Sequence, residues 1–515
     1  MKHFNTTGPC FTEDHYMLPA LPRLPEMRAL VDQKLYFVLH AARQTGKTTS
    51  IMALARELTA EGRYAAIVLS AQPAAVFSHD INTAEKLLLG VWRDVAEDEL
   101  PPELRPPNWQ EAETGQRIRS ALRAWARAIP RPLVVFIDEI DALEDELLLS
   151  VLHQLRDGFP HRPKSFPWSL ALVGMRDVHD YKVKSATGTR LRTSSPFNIK
   201  ARSLTMGNFT ADDVTTLYQQ HTTETGQVFT PEAMARAFEL TQGQPWLVNA
   251  LANVAVGELV TDRTQPITIE HIEEAREILI LRRETHLGSL TERLHEDRVR
   301  HVIEQLLTGD ASLQQIPSDD LEYVRDLGLV TREKPIAIAN PIYREVIPRE
   351  LTWTTQEFLQ QETVWYVLPD GRLDMDKLLT AFQQFFRENS EHWVERFDYK
   401  EAGPQLLMQS FLHRVVNGGG RIEREYGLGR GRTDLLVIWP WSGGVQRIVL
   451  ELKVLRKSLE QTITEGLAQT LEYGERCNAD ELHFVVFDRS KKPWSKKIFQ
   501  RTRKLRGTTI KVWGM

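Results

Sequence analysis

The sequence is poor in cysteine and contains no long apolar run. Only Cys10 and Cys477 occur in 515 residues, and neither belongs to a motif with metal-binding spacing. No stretch reaches the roughly 18 apolar residues that span a bilayer, and the N-terminal residues lack the apolar segment of a secretory signal. These features exclude a disulfide scaffold and predict a cytoplasmic protein without a membrane partner.

The composition is that of a globular protein with uneven charge. Hydrophobic residues make up 42% and charged residues 26% of the chain, and the length favours two to four domains. The net charge is −5, but residues 404–515 contain 20 Lys/Arg against 11 Asp/Glu, so this end carries +9 and the remainder −14. A basic module on an acidic body predicts a polyanionic partner for the C-terminal end.

The pattern of apolar runs predicts a multidomain α/β protein. In residues 1–198, continuous apolar strands such as "KLYFVLHA" and "RPLVVFIDEID" alternate with helices, which indicates a parallel sheet covered on both faces. The following segments are predicted as a helical lid (199–297), a winged helix (298–351), a helical connector (352–398) and a C-terminal α/β domain (399–515).

The segment "VLHAARQTGKTTS" has the pattern of a phosphate-binding loop. It places Ala41-x4-Gly46-Lys47-Thr48 between a strand and a helix, where backbone N–H groups can surround phosphates. Lys47 is expected to reach the β- and γ-phosphates, and Thr48 to bind Mg²⁺. The alternative is a chance Gly-Lys-Thr in a turn. The predicted nucleotide-binding residues are Ala42, Arg43, Gln44, Thr45, Gly46, Lys47, Thr48 and Thr49.

Two acidic residues end the strand "LVVFIDEID". Asp138 is expected to face the metal, and Glu139 to polarise a water against the γ-phosphate. An ordinary acidic strand end is the alternative for this pair. Asp141 is interpreted as the N-cap of the next helix.

These residues resemble those of AAA-like and STAND-related P-loop ATPases, over about residues 4–351. The resemblance implies that Arg176, after "SLALVGM", senses the γ-phosphate and that Pro245, in "TQGQPWLVNALA", approaches the adenine. A surface arginine and a simple helix break are the alternatives. No arginine finger is recognisable in the sequence. Whether hydrolysis needs a second copy of the chain or a partner protein therefore stays open.

A second polar cluster is predicted in "RTDLLVIWPWSGGVQRIVLELKV". Glu451 and Lys453 lie two apart on a strand and therefore share a face, with Asp434 near the start of the neighbouring strand. Leu450 and Leu452 would fill the opposite face. Two carboxylates can hold a divalent metal and a lysine can act on water, which is the requirement of a metal-dependent phosphodiesterase. A solvated edge hairpin of mixed charge is the alternative.

This arrangement resembles the PD-(D/E)xK nuclease superfamily, over about residues 399–514. The resemblance implies Asp434, Glu451 and Lys453 as catalytic residues, with Thr433 in place of the proline of the motif. It also implies an upstream acid and a later helical glutamine, for which Glu425 and Gln469 are the candidates. Glu423 and Glu401 compete with Glu425, and Gln469 has the alternative of an ordinary helix-surface residue.

After the last of these strands, "RSKKPWSKKIFQRTRKLRG" interleaves basic residues with Trp494 and Phe499. This pattern favours a nucleic-acid partner, with DNA preferred, although a solvated basic helix is the alternative.

Together the motifs predict an ATP-binding, ATP-hydrolysing switch that controls a nuclease dependent on Mg²⁺ or Mn²⁺. Family analogy suggests defence against foreign nucleic acid. The alternatives are an ATPase-nuclease of repair or recombination, and a nucleotide-dependent scaffold with an inactive nuclease fold.

Overall fold

The structure is a computed structural model. It describes residues 2–19, 21–109, 111–176, 183–184, 190–191, 199–282, 293–294, 296–308, 316–351, 365–396, 408, 411–412, 420–426, 433–455, 458–488, 490 and 492–515. Only the backbone is described for residues 21, 183–184, 190–191, 281, 304, 307–308, 348–351, 388–396, 421, 423–426 and 433–434. The chain forms two compact units, the first made of Met1–His286, Arg325–Val330 and Ala339–Ile342 and the second of the remainder.

The first unit is built on a five-stranded parallel sheet. The strands are β1 (Tyr36–His40), β2 (Ala65–Ser70), β3 (Leu133–Asp138), β4 (Ser169–Gly174) and β5 (Arg202–Thr205). Their order in the sheet is β2-β3-β4-β1-β5, so β1 and β3 are separated by β4. The parallel sheet predicted for this region is therefore present.

The sheet extends past the boundary predicted at residue 198. Strand β5 pairs with β1 from Phe37 to His40, although three of its four residues are exposed. It has no apolar run because it is an edge strand with only Leu204 in the core, and the periodicity therefore gave no signal.

Helices cover both faces of this sheet. They are α1 (Glu26–Asp32), α2 (Lys47–Ala60), α3 (Ile81–Glu99), α4 (Arg117–Ala128) and α5 (Asp145–Gly158). Leu39 packs with Leu54 of α2 in one core, whereas Val38 packs with Trp92 of α3 and Trp125 of α4 in the other. Both faces are apolar because successive strand residues point to opposite sides.

The described residues of the predicted helical lid contain four α-helices and the short π-helix Ala255–Leu259. The α-helices are α6 (Ala211–Thr225), α7 (Pro231–Thr241), α8 (Pro245–Val254) and α9 (Ile269–Arg282). Thr210 and Asp213 form a reciprocal capping box at the start of α6. Pro231 and Pro245 occupy the first positions of their helices, where proline loses no hydrogen bond.

In the region predicted as a winged helix, the described residues include three helices, namely α10 (Asp297–Thr308), α11 (Ser318–Asp326) and α12 (Pro341–Leu351). Between α11 and α12 the chain makes a short turn, in which the Thr331 N–H donates to the Ala337 carbonyl at 2.8 Å. The winged helix stays a prediction, because only bridge residues, not extended strands, are present at Val330 and Ile338.

The second unit contains a six-stranded mixed sheet. Its strands are β6 (Arg421–Tyr426), β7 (Thr433–Trp441), β8 (Gly444–Val454), β9 (Glu481–Phe487), β10 (Phe499–Leu505) and β11 (Thr508–Gly514). The order is β6-β7-β8-β9-β11-β10. Helix α14 (Leu459–Cys477) connects the parallel strands β8 and β9 and packs on both.

Helix α13 (Met375–Arg396) belongs to this unit rather than to a separate connector. Leu378 and Phe382 of α13 are fully buried in one cluster with Leu450 and Trp513 of the sheet. The boundary predicted at residue 399 therefore falls too late. Tyr366, Phe382 and Phe386 of the predicted connector form part of this core.

The basic C-terminal segment is a short helix, α15 (Trp494–Lys497), followed by the antiparallel strands β10 and β11. The hairpin was not predicted, because the half-buried positions of β10 include Arg501 and Arg503, so the strand lacks an alternating apolar pattern. Across the described part of the chain, no helix combines the length and the apolar character that a membrane crossing requires.

Candidate functional site

The phosphate-binding loop connects the end of β1 to the start of α2. Gln44 and Gly46 both have left-handed backbone conformations, with φ of 58° and 93°. Alternation of right- and left-handed residues turns successive N–H groups toward one concavity, which suits an anion. Helix α2 begins at Lys47 behind a glycine N-cap, so its positive dipole end adds to this potential.

The Lys47 ammonium group lies against the loop. Its Nζ donates to the carbonyl oxygens of Ala41 at 2.9 Å and Ala42 at 2.8 Å. Burial lowers the pKa of Lys47 to about 8, although the carboxylates of Asp141 and Asp138 oppose this shift. A polyphosphate would add further negative charge beside this partly buried ammonium.

Thr48 and Asp138 meet at the end of β3. The Thr48 hydroxyl donates to Asp138 Oδ2 at 2.7 Å, and Oδ1 accepts from the Glu139 N–H at 2.9 Å. Burial raises the pKa of Asp138 despite the Thr48 hydrogen bond. A hydroxyl and a carboxylate at this distance fit Mg²⁺, which prefers oxygen ligands and binds phosphates at the same time.

A residue of the neighbouring strand β2, Ser70, holds the Glu139 side chain. The Glu139 backbone is left-handed, with φ of 57°, and Glu139 Oε2 accepts from the Ser70 hydroxyl at 2.7 Å. Burial raises the pKa of Glu139, which suits a group that must exchange a proton with water. Sequence patterns did not point to Ser70.

Asp141 is not a helix N-cap. It lies in the short 3-10 turn Ile140–Ala142, and its Oδ1 accepts from the Met175 N–H at 3.2 Å. Helix α5 begins later, at Asp145. The side chain thus fixes the end of β4 beside β3, next to Arg176, which follows β4 at the same edge of the sheet as the loop.

A cavity beside the loop lies between the N-terminal segment and the lid, and Pro245 is among its lining residues. The approach of Pro245 to an adenine stays a prediction. The Trp246 indole N–H donates to the Thr6 carbonyl at 2.8 Å, and the Cys10 N–H donates to Thr49 Oγ1 at 3.2 Å. The two bonds hold the N-terminal segment over the cavity. Gln44, Thr45, Gly46 and Thr49 of the phosphate loop also line the cavity, so it adjoins the loop.

Arg23 connects the loop to the segment that enters the lid. Its guanidinium donates to the carbonyls of Thr45 at 3.1 Å and Gly207 at 2.6 Å and lies 4.7 Å from the ring centroid of Phe209. Burial lowers the pKa of Arg23 to about 10. Sequence analysis missed Arg23 and the N-terminal segment, since contacts of high sequence separation leave no local pattern.

The other predicted loop residues have clear positions. Thr45 donates from its hydroxyl to the Ala42 carbonyl at 3.0 Å, which tightens the loop. Arg43 is exposed at the loop tip, and its positive charge acts on Lys47 and Glu139.

In the second unit, three predicted acids occupy one row across the sheet. Glu425 of β6 is the direct partner of Asp434 of β7, and Asp434 is the direct partner of Glu451 of β8. Glu423 is paired with Leu436, two residues further along, so it lies outside this row. Glu401 lies outside the described residues. The register favours Glu425 as the upstream acid.

Glu451, Lys453 and Gln469 lie together. Lys453 Nζ donates to Gln469 Oε1 of α14 and lies 3.9 Å from Glu451 Oε1. Glu451 is 0% exposed, and neither of its carboxylate oxygens accepts a hydrogen bond from the residues that the structure describes. A buried carboxylate without donors is costly unless a cation or a proton compensates it.

The position of α14 depends on a close approach at Gly466. A Cβ atom there would lie 2.1 Å from Cζ of Phe484, so only glycine allows this contact. Gln469 is less than one turn further along the helix and can therefore reach Lys453.

Leu450 and Leu452 are fully buried in the cluster of α13, which confirms their predicted position on the opposite face.

Two basic side chains of the C-terminal segment make contacts within the second unit. Lys497 is buried, with its Nζ 4.7 Å from the ring centroid of Trp494. Arg501 lies over the Phe499 ring at 4.5 Å and pairs with Glu460 at 3.3 Å. No group of three or more metal-binding side chains is found within the described residues, which do not include the side chains of Glu425 and Asp434.

Comparison with protein-family models finds a match within the first unit. A family described as "AAA domain" matches residues 31–181. Among solved structures, the Walker-type ATPase PABY2304 of Pyrococcus abyssi aligns at 13% identity with a TM-score of 0.48, over 67% of this chain and 99% of its own. The Holliday junction branch migration motor RuvB of Thermotoga maritima aligns at 14% identity and a TM-score of 0.34, over 63% and 92%.

The AAA domain of FIGL-1 in complex with ADP aligns at 19% identity and a TM-score of 0.30, over 48% of this chain and 72% of its own. No curated protein matches the chain by sequence. The family match assigns residues 31–181 to an AAA-type P-loop ATPase domain, and ATP binding is expected of that domain. The family match ends before the second unit begins.

Proposed function

We propose that this protein is an ATP-controlled, metal-dependent nuclease. The ATPase domain acts as the switch, and the cluster of Asp434, Glu451 and Lys453 cleaves nucleic acid. A nuclease restrained by a nucleotide switch suits defence against foreign nucleic acid.

The observation that carries the nuclease proposal is the Glu451 carboxylate. It is fully buried, and neither of its oxygens accepts a hydrogen bond from the described residues. Lys453 Nζ lies 3.9 Å from Oε1 and also donates to Gln469. A structural ion pair would have short, hydrogen-bonded geometry, because desolvation otherwise exceeds the Coulombic gain. The arrangement fits a carboxylate that serves as a ligand of a divalent cation.

The residues fit Mg²⁺ or Mn²⁺ as the missing partner. Glu451 and Asp434 are register neighbours on β8 and β7 and would hold the ion, with Glu425 next in the row. When bound, the ion supplies a Lewis acid that activates water and stabilises the charge on the phosphate. Gln469 orients Lys453, whose ammonium can donate to a phosphate oxygen or assist proton transfer from the attacking water.

On the ATPase side, Lys47 binds the polyphosphate, Thr48 and Asp138 hold Mg²⁺, and Glu139 positions the water. Arg176 is the proposed γ-phosphate sensor. The lid can respond to the nucleotide through Pro245, which lines the same cavity as the loop. A ligand that contacts two segments shifts their equilibrium only through such differential contacts. Basic residues of the second unit, including the exposed Lys504, are the proposed contacts for DNA.

The test is cleavage of labelled single- and double-stranded DNA and RNA by the full chain, with Mg²⁺ or Mn²⁺, with and without ATP. We expect metal-dependent cleavage that changes with ATP and is lost in Glu451→Gln. Glu460→Gln is the matched control, because Glu460 is an exposed acid in the same unit. Cleavage by Glu451→Gln at the wild-type rate contradicts the proposal, as does the absence of cleavage under every condition.

A further inference from the structure

We propose that Asn249 of the lid selects adenine by accepting a hydrogen bond from its 6-amino group. The inference rests on the proposed ATP binding at this site and extends it to the base.

Asn249 lies on α8, one helical turn after Pro245. It is only 7% exposed and lines the cavity between the N-terminal segment and the phosphate loop. Its Nδ2 donates to the Pro245 carbonyl at 2.8 Å. Because a carbonyl can only accept, this bond fixes which end of the amide is the donor.

The other end of the amide therefore presents an oxygen. In the part of the chain that the structure describes, Asn249 Oδ1 is buried and has no hydrogen-bond partner. Buried polar atoms are almost always paired, so an unpaired acceptor in the lining of a cavity points to a donor on the ligand.

The position suits the base rather than the phosphates. Pro245 and Trp246 of the same helix line the cavity, and Thr49 and Gly46 lie on its loop side. A nucleotide with its phosphates on the loop would place its base toward the helix.

The chemistry distinguishes the purines. Adenine carries an amino donor at position 6, whereas guanine carries a carbonyl acceptor there. The Asn249 oxygen would bond the first and face the oxygen of the second, which leaves two acceptors unpaired. A site built around one hydrogen bond rejects a ligand that cannot make it.

The experiment measures the binding of three nucleotides to the full chain by calorimetry. They are ATP, GTP and purine riboside triphosphate, which is ATP without the 6-amino group. For the wild type we expect ATP to bind roughly ten- to a hundredfold more tightly than purine riboside triphosphate, since an unpaired buried acceptor costs that much. GTP should bind more weakly still.

Asn249→Leu removes the acceptor at similar size. We expect its affinity for ATP to fall to that for purine riboside triphosphate, which should itself change little. Thr215→Val is the control, because it removes a lid hydroxyl that bonds within its own helix at 3.0 Å and does not line the cavity. That variant should keep the wild-type preference for ATP.

Three results would overturn the inference. One is equal binding of ATP and purine riboside triphosphate by the wild type, and another is an equal loss of both in Asn249→Leu. The third is binding of none of the nucleotides by the wild type, which would contradict the ATPase proposal as well. The first two leave ATP binding intact, so the two failures can be told apart.

Discussion

The two sites of this chain differ in how their charged groups are satisfied. In the nucleotide site, Lys47 bonds two loop carbonyls, Thr48 bonds Asp138 and Glu139 bonds Ser70. In the second unit, Glu451 is fully buried, and its oxygens accept no hydrogen bond within the described residues.

This difference in hydrogen bonding indicates how each site would change when its ligand binds. The nucleotide site must exchange internal hydrogen bonds for bonds to phosphate and Mg²⁺, so its ligand changes the protein. Within the described residues the Glu451 carboxylate has no such bonds to exchange, and the register of its sheet fixes the backbone positions of the acids. The first arrangement suits a switch and the second suits a rigid catalytic centre.

The largest expected effect concerns Glu139. Glu139→Gln should reduce ATP hydrolysis by about 10²- to 10⁴-fold, because a positioned base contributes that much, while ATP binding is kept. Steady-state phosphate release and calorimetry measure the two properties. Glu144→Gln, an exposed acid a few residues later, is the control and should hydrolyse normally. Unchanged hydrolysis in Glu139→Gln would show that another group acts on the water.

A second effect should appear where α14 approaches the sheet. Gly466→Ala places a methyl group 2.1 Å from the Phe484 ring, so the helix must move. Overpacking of this kind costs about 1–3 kcal/mol, and the shift should separate Gln469 from Lys453 and slow cleavage. Thermal unfolding and the cleavage assay measure both.

The matched partner of this variant is Phe484→Leu, which shortens the side chain at the contact. The double variant should recover more stability than the sum of the two single changes predicts. If Gly466→Ala is as stable and active as the wild type, the close approach does not position Gln469.

The smallest effect is a pH dependence of ATP binding. The buried Lys47 has a pKa of about 8, below its ordinary value, and only its charged form attracts phosphate. ATP affinity should therefore be full below pH 8 and fall by up to about tenfold per unit as the pH rises above 8. AMP, which lacks the β- and γ-phosphates, should show no such trend. Equal ATP affinity at pH 7 and pH 9.5 would contradict this assignment.

Local patterns predicted the parts of the fold that depend on local physics. The strand, loop and helix around Lys47 were predicted because the phosphate loop needs fixed residue types at fixed spacing. The hairpin of β7 and β8 was predicted from two apolar runs around a turn, and its register brings Asp434 and Glu451 together.

Features that depend on distant contacts were not predicted. Arg23 and Thr6 reach the nucleotide site only through the fold, and Asn249 is one polar residue among apolar ones in α8. The apolar face of α13 was visible as helical spacing, but no pattern indicates which core it joins. Edge strand β5 lacked an apolar signal altogether.

The most direct test of the central claim is whether Glu451 binds a divalent cation. Mn²⁺ binding can be measured by electron paramagnetic resonance in nucleotide-free chains that all carry Asp138→Asn, which removes the metal-binding acid of the ATPase site. We predict that Glu451→Gln binds Mn²⁺ at least about tenfold more weakly, since a carboxylate ligand is lost, and that Glu460→Gln binds normally. Equal Mn²⁺ affinity in Glu451→Gln and its parent chain would contradict the account.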